Sequence, residues 1–228
     1  MGRIGHGYGS EWHLLRYFGR HRLRFNQLVL SGTTSESVEW LDFGFNRKAA
    51  MFDDEPKGLE FLADNTDLQR AWADYWPLGG GVPNWDAVGR LARNGRQEWL
   101  LVEAKAHVGE LRAFCQAKAP ASRQKIEAAL RATKSALGVD SARDWMASDY
   151  YQLANRLAVL HFLNVQKRPA KLLLIYFTGD TSRDGRVCPP DAAGWEAALE
   201  TQDVALGLQA GHPLAEQVHK LFLPVCPA

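Results

Sequence analysis

Cysteine is scarce in this sequence, and the few cysteines form no pattern that builds a site. There are three among 228 residues, Cys115, Cys188 and Cys226, with neither paired spacing nor a Cys-x-x-Cys motif. Disulfide frameworks and structural zinc sites need such spacing, so the sequence predicts neither of them. Unpaired thiols are typical of a reducing compartment, and we therefore expect a cytoplasmic protein.

Long apolar runs are also missing. No stretch approaches the roughly 20 consecutive apolar residues that a membrane-spanning helix requires, and the first residues lack the apolar core of a signal peptide. The sequence therefore predicts no membrane partner. It shows no internal repeat and no low-complexity segment, and a chain of this length most simply forms one domain, so we expect residues 1–228 to build a single domain.

A large excess of charge of one sign is the third absence. The 27 Lys and Arg residues nearly balance the 26 Asp and Glu residues, which gives no overall field that would attract a polyanion. Any contact with nucleic acid must then come from a local patch. One basic cluster lies near the N-terminus, at Arg16, Arg20, His21, Arg22 and Arg24. This cluster fits a phosphate-contacting surface and a solvated helix face equally well.

Apolar periodicity predicts a chain that mixes helices and strands. A first helix is expected over Ser10–Arg22, because Ser10 can act as its N-cap and the apolar residues that follow have helical spacing. The other predicted helices are Glu60–Trp76, Ala121–Leu137, Ser148–Val165, Gly194–Leu208 and Pro213–Phe222. The predicted strands are Ser37–Asn46, the segment around Asp86, Glu98–His107 and Lys171–Phe177. This order favours an α/β fold with a central mixed sheet flanked by helices.

Two adjacent predicted strands carry the residues with the most chemistry. Strand side chains alternate between faces, so Glu103 and Lys105 lie side by side on one face and His107 follows them. The opposite face of the strand is apolar, with Leu100, Val102, Ala104 and Ala106. Charges at the end of such a strand are costly unless they are paired or bind a metal. Together with Asp86 on the preceding strand, they indicate a metal site with an activating base. A plain exposed charge pair is the alternative interpretation.

Asp86 followed by Glu103-Ala104-Lys105 resembles the motif of the PD-(D/E)xK nuclease superfamily, whose fold is called restriction-endonuclease-like. The Pro of that motif is displaced here, since the chain has Pro83-Asn84-Trp85-Asp86 in place of Pro-Asp. The resemblance implies an αβββαβ core that runs from the first helix to the strand ending at Phe177, with added C-terminal helices. It also implies metal-dependent hydrolysis of phosphodiester bonds, with DNA as the expected substrate.

The resemblance further implies roles for individual residues. Asp86, Glu103 and the backbone carbonyl of Ala104 would bind the cation, and oxygen ligands point to Mg²⁺ or Mn²⁺. Lys105 would orient the attacking water. Some members of the superfamily supply a further acidic ligand from the first helix, a place that Glu11 matches, although an acid there also simply favours the helix dipole.

Substrate contacts are expected from polar residues near this motif. The polar residues of the predicted crossover helix follow each other at i, i+3 and i+4, away from its leucine stripe. A solvated polar face is the alternative for them. The candidate substrate-binding residues are Gln152, Asn155, Arg156, His107, Arg20 and Arg22.

Two other functions stay open. The first is a catalytically inactive nuclease-fold module that binds nucleic acid or acts in assembly, although such a module has no need to keep Asp86, Glu103 and Lys105 together. The second is an unrelated α/β enzyme in which Glu103 and Lys105 form a salt bridge. The sequence has no glycine-rich phosphate loop, which excludes the commonest enzymes of that second class. A homodimer is also left open.

Overall fold

The computed structural model describes residues 8–41, 44–45, 53–79, 81–181 and 185–227. The helices are α1 Ser10–Arg20, α2 Arg22–Thr33, α3 Thr66–Tyr75, α4 Pro120–Leu137, α5 Tyr151–Val165 and α6 Ala193–Leu206. The strands are β1 Ser37–Trp40, β2 Gly44–Phe45, β3 Asp53–Asp54, β4 Ala87–Arg93, β5 Arg96–Lys105, β6 Ala170–Thr178 and β7 Val218–Pro224. Short 3₁₀ helices occupy Glu60–Leu62, Val108–Leu111 and Ala215–Gln217. None of the described helices combines the length and apolar character needed to cross a membrane.

The main sheet is open and mixed, in the order β1-β4-β5-β6-β7. Strands β1, β4 and β5 are antiparallel neighbours, whereas β5, β6 and β7 are parallel. The parallel connection from β5 to β6 passes through α4 and α5, as parallel pairs require a long crossover. The predicted α/β fold with a mixed central sheet flanked by helices is therefore confirmed.

A tight hairpin joins β4 to β5 and fixes their register. Its two loop residues, Asn94 and Gly95, have φ of 50° and 72°, the left-handed values that a two-residue turn of this kind needs and that Asn-Gly adopts readily. Seven residues earlier, the register pairs Ala87 with Val102. Asp86 thereby comes level with Glu103 at the open end of the two strands.

Helices cover both faces of the sheet and create two separate cores. Residues of α1 and α2 pack on the face formed by Leu100, Val102 and Ala104 of β5. Residues of α3 to α6 pack on the other face, together with Leu101. Because strand side chains alternate, Glu103 and Lys105 share the face of Leu101 and point towards α5 rather than into water.

The crossover helix α5 is buried on nearly all sides, with eleven of its fifteen residues inside the protein. A helix that is apolar all round lies in the centre of a domain, and α5 packs between β6 and α4. Its polar residues Asn155 and Arg156 are consequently buried as well. The alternative of a solvated polar face is wrong for these two residues.

Two predicted helices have to be corrected because tertiary contacts override local pattern. The expected helix Ser10–Arg22 ends at Arg20, and α2 starts at Arg22 after a break at His21. The break turns the chain so that Tyr17 and Phe25 pack edge-on against each other in the same core. The expected helix Glu60–Trp76 is a 3₁₀ turn followed by α3, which begins where the Asn65 side chain accepts a hydrogen bond from the Leu68 amide (3.0 Å).

The expected helix Pro213–Phe222 is wrong, since Val218–Pro224 forms the edge strand β7. Strand β7 pairs in parallel with the fully buried β6, and this backbone pairing decides its conformation. The added C-terminal part is therefore one helix and one strand rather than helices alone. The expected strand Ser37–Asn46 is β1 followed by the two-residue β2, and Asn46 lies outside the described residues.

Candidate functional site

A cleft of about 460 Å³ opens at the end of β4 and β5, between the first turn of α1 and the buried helix α5. Its polar uncharged lining includes Asn84, Gln152 and Asn155. Its charged lining consists of five acids and two bases, Glu11, Glu55, Asp86, Glu103, Glu110, Lys105 and Arg156. An excess of acid in a confined space favours cations and opposes phosphates that arrive without one.

Glu103 is almost completely buried, with 5% of its surface exposed, and both of its carboxylate oxygens have basic partners. Oε2 accepts from Nε of Arg156 at 2.8 Å and lies 2.7 Å from its Nη2. Oε1 accepts from Nζ of Lys105. Burial alone would raise the pKa of Glu103, but the charges of Arg156 and Lys105 outweigh it and hold that pKa below its usual value. Glu103 is therefore ionised.

Arg156 is held in place on three sides. Its Nη1 donates to Oδ1 of Asn155 at 2.8 Å, and its guanidinium lies 4.8 Å from the centre of the Trp85 ring. Trp85 is fully buried and donates from Nε1 to the Gly58 carbonyl at 2.9 Å. Stacking on an aromatic ring and hydrogen bonds together fix the guanidinium plane. Arg156 thereby fixes the orientation of Glu103.

Asp86 lies directly before β4 and has a different environment. Its Oδ2 accepts from the Ala104 amide at 2.5 Å. Burial and the neighbouring charge of Glu103 raise the pKa of Asp86 to about 7, although Lys105, this amide and Arg156 act in the opposite direction. Two carboxylates that approach each other in a low-dielectric site repel, and one of them then retains its proton more strongly.

Carboxylates occupy the edge of β5 beyond the end of β4. Asp86 accepts from the Ala104 amide, and two residues later Oε2 of Glu110 accepts from the Ala106 amide at 2.5 Å. In a strand, the N–H and C=O of one residue point to the same neighbour. The carbonyl of Ala104 therefore faces the side of the strand where Asp86 lies, and Ala104 lines the cleft.

The donor atoms of this end of the cleft fit Mg²⁺ or Mn²⁺ in kind. Asp86, Glu103 and the Ala104 carbonyl supply hard oxygen atoms, and Mg²⁺ commonly takes only one or two carboxylates and keeps several waters. Within the described part of the chain, no three side chains of His, Cys, Asp or Glu come together as a complete metal-binding group. Burial and the neighbouring charge of Glu103 both raise the pKa of Asp86, and a bound cation would offset both effects.

The structure brings most of the predicted site residues together. Asp86, Glu103 and Lys105 converge, and Gln152, Asn155 and Arg156 line the same cleft. Glu11 lines its rim and is exposed to solvent.

Three predicted substrate contacts lie elsewhere. His107 is buried, with Nε2 3.4 Å from Oε1 of Glu110, and it does not line the cleft. Arg20 and Arg22 are exposed at the junction of α1 and α2. Glu11 and Arg20 stand at opposite ends of α1, about 13 Å apart along its axis. Arg20 and Arg22 are thus separated from the cleft by the length of α1.

Two acids of the cleft were missed from the sequence. Glu55 lies between the predicted strand Ser37–Asn46 and the predicted helix Glu60–Trp76, and the hydrogen bond from the Trp85 amide to the Pro56 carbonyl (2.9 Å) brings it to the cleft. Burial raises its pKa, partly opposed by a hydrogen bond from Asn84. Glu110 follows β5 in a 3₁₀ turn. Only its closeness to the Glu103 motif could have indicated it.

Chemically, the cleft offers hard oxygen donors, one amine at Lys105 and a buried guanidinium at Arg156. These groups suit the binding of a cation and the stabilisation of developing negative charge. Comparisons with protein-family models, with curated proteins and with solved structures found no match to this chain. Its function is accordingly inferred from the geometry of the cleft.

Proposed function

We propose that this protein is a divalent-metal-dependent nuclease that hydrolyses phosphodiester bonds, with DNA as its substrate. The convergence of Asp86, Glu103 and Lys105 around Ala104, at the open end of two paired strands, carries this proposal. Two carboxylates and a carbonyl can hold a cation for metal-assisted hydrolysis of a phosphodiester, and an amine can offset the negative charge that develops. A cytoplasmic location and a homodimer stay predictions.

The topology supports a restriction-endonuclease-like core as part of this proposal. Helix α1 precedes three antiparallel strands, β1, β4 and β5, and a helical crossover leads to the parallel strand β6. The proposed αβββαβ core would consist of these elements, with α2, the small sheet of β2 and β3, α3, α6 and β7 as additions. Asp86 lies directly before the second strand of that core, and Glu103 and Lys105 lie at the end of the third.

The candidate residues of the cleft divide into metal ligands, a group that acts on the water and phosphate, and a positioning residue. Asp86, Glu103 and the Ala104 carbonyl would hold Mg²⁺ or Mn²⁺, which supplies Lewis acidity towards the phosphate and towards a bound water. The Lys105 ammonium would orient the attacking water and offset negative charge that develops on the phosphate. Arg156 keeps Glu103 ionised and correctly oriented from within the core.

One observation favours the alternative of a catalytically inactive nuclease-fold module that binds nucleic acid. Both oxygens of Glu103 are engaged by Arg156 and Lys105. If these salt bridges persist when a cation binds, three of the about four lone-pair positions of the Glu103 carboxylate stay occupied, which weakens it as a metal ligand and favours a fold that serves binding alone.

Metal-dependent cleavage tests the proposal directly. A fluorescently labelled DNA is incubated with the parent protein in Mn²⁺, in Mg²⁺ and in EDTA, and Mn²⁺ affinity is measured by calorimetry. We expect cleavage only with a cation, and loss of both Mn²⁺ binding and cleavage in Asp86→Asn. Asp67→Asn is the control, because Asp67 is an exposed acid of α3 outside the cleft.

DNA binding without cation-dependent cleavage would select the inactive module. Neither binding nor cleavage, with no Mn²⁺ uptake, would contradict both functions.

A further inference from the structure

A second cavity lies next to the cleft, with a volume of about 630 Å³. It runs between α4 and the segment 141–147, and we call it the groove. Its charged lining contains four bases and two acids, Arg123, Arg131, Lys134, Arg143, Glu127 and Asp144. The groove is therefore basic where the cleft is acidic.

Among the four bases of the groove, Lys134 holds the wall, whereas Arg123 and Arg131 face outward. Nζ of Lys134 donates to the carbonyls of Ser141 (3.0 Å) and Arg143 (2.5 Å) and fixes the wall. Arg123 and Arg131 are exposed on α4. Arg131 pairs at 3.0 Å with Glu127, which is also exposed, and such a surface pair exchanges for another anion at little cost.

Phe114 lines both the cleft and the groove. It exposes 56% of its surface, which is a large fraction for a phenylalanine. The backbone beside it is fixed, since the Ala113 amide donates to the Asp149 carbonyl at 2.6 Å and the Tyr151 amide donates to the Ala113 carbonyl at 3.2 Å. An aromatic ring is thus held open to solvent at the boundary between the two cavities.

We propose that the groove binds a single-stranded segment of nucleic acid that adjoins the phosphodiester held in the cleft. A base stacks on Phe114, and phosphates contact Arg123 and Arg131. The acidic cleft repels every phosphate except one neutralised by a cation, so the flanking phosphates need a basic surface nearby, which the groove provides. Stacking on a single ring requires an unpaired base, which excludes a continuous duplex at this position. The part of this inference that places a phosphodiester in the cleft rests on the proposed nuclease function.

Fluorescence anisotropy with labelled oligonucleotides of about 12 nucleotides tests the groove. Single-stranded DNA, single-stranded RNA and blunt duplex DNA are compared in EDTA and in Ca²⁺. Phe114→Ala should weaken single-strand binding by about 5- to 100-fold, whereas Phe114→Trp should retain it. The double variant Arg123→Ala with Arg131→Ala should make the slope of log K against log salt concentration shallower by about 1.4, because two phosphate contacts are lost. Whichever of the single-stranded DNA and RNA binds more tightly shows whether the groove prefers deoxyribose or ribose.

Two matched controls share the chemistry but not the position. Arg70→Ala removes an exposed helical arginine that is also paired with an acid, Asp67. Trp12→Ala removes an aromatic residue that exposes 45% of its surface and lines neither cavity. Both should bind like the parent. Thermal unfolding checks that each variant is folded.

If the groove variants bind single strands as tightly as the control variants do, the proposed groove function is wrong. Loss of binding in Arg20→Ala with Arg22→Ala instead, or duplex binding with the same dependence on Phe114, would also overturn it. A parent that binds single strands in this way but hydrolyses none with Mn²⁺ would contradict the nuclease and leave the groove. Hydrolysis and binding unaffected by either groove change would contradict the groove and leave the nuclease.

Discussion

The two sides of the cleft contain the same chemical group in opposite electrostatic surroundings. On one side Glu103 has two basic partners, Arg156 and Lys105, and its pKa lies below the usual value. On the other side Asp86 has a backbone amide and the negative charge of Glu103, and its pKa rises to about 7. Burial disfavours charge on both, so the partners decide the difference.

This difference separates a structural task from a binding task. The buried Glu103 carboxylate has two basic side chains as partners, so its charge is already compensated and its position in the core is fixed. A carboxylate that faces another carboxylate gains most from the arrival of a cation. We therefore expect changes at Glu103 to affect folding first and changes at Asp86 to affect metal binding first.

Removal of Glu103 should have the largest effect. Glu103→Ala leaves Arg156 buried, with 4% of its surface exposed, and we expect the free energy of unfolding to fall by about 3–5 kcal/mol. Urea unfolding measures it. Asp67→Ala, which removes the acid of an exposed pair with Arg70, should cost less than about 1 kcal/mol. Similar losses in both variants would mean that the Arg156 side is not a structural anchor.

Removal of Lys105 should separate chemistry from metal binding. Its ammonium contacts Glu103 and no Asp86 oxygen among the described hydrogen bonds, so Lys105→Ala should retain most Mn²⁺ affinity. The rate of the proposed hydrolysis should fall by about 10²–10³-fold, the loss typical of one group that stabilises transition-state charge. Lys220→Ala, which removes a lysine paired with Asp203 outside the cleft, is the control. An equal loss of Mn²⁺ affinity would make Lys105 a structural partner of Glu103.

Asp86→Asn should make the metal-free protein more stable, and only at high pH. The pKa of Asp86 rises from 3.8 to about 7 on folding, so the folded state holds a proton that the unfolded state has released. The parent therefore loses stability as pH rises from about 4 to 7. At pH 8 in EDTA, we expect Asp86→Asn to gain up to about 4 kcal/mol, with no gain near pH 4.

Unfolding curves across pH, with and without Mn²⁺, measure this gain. Added Mn²⁺ should stabilise the parent and not the variant, because only a ligand that binds the folded state shifts unfolding. A variant that is less stable than the parent at pH 8 in EDTA would show that the Asp86 carboxylate is satisfied without a cation.

Local pattern was sufficient for the central pair of strands. Alternation correctly placed Glu103 and Lys105 on one face of β5, and the Asn94-Gly95 turn set the register that brings Asp86 level with them. Each of these contacts involves residues close in sequence or on adjacent strands. The sequence could not indicate Glu55 or the partner of Arg156, because the contacts that bring them to the cleft join segments about 30 and 53 residues apart.

The sequence by itself determined the alternation of the motif strand, its hairpin partner and the helical crossover, because period, turn chemistry and apolar stripes are local properties. Only the tertiary structure decided which carboxylate has basic partners. It also turned Val218–Pro224 into a strand, through pairing with the buried β6. It placed the exposed Phe114 between an acidic and a basic cavity. Charge and burial depend on neighbours that are distant in the chain, so they emerge only when the sheet and helices are packed together.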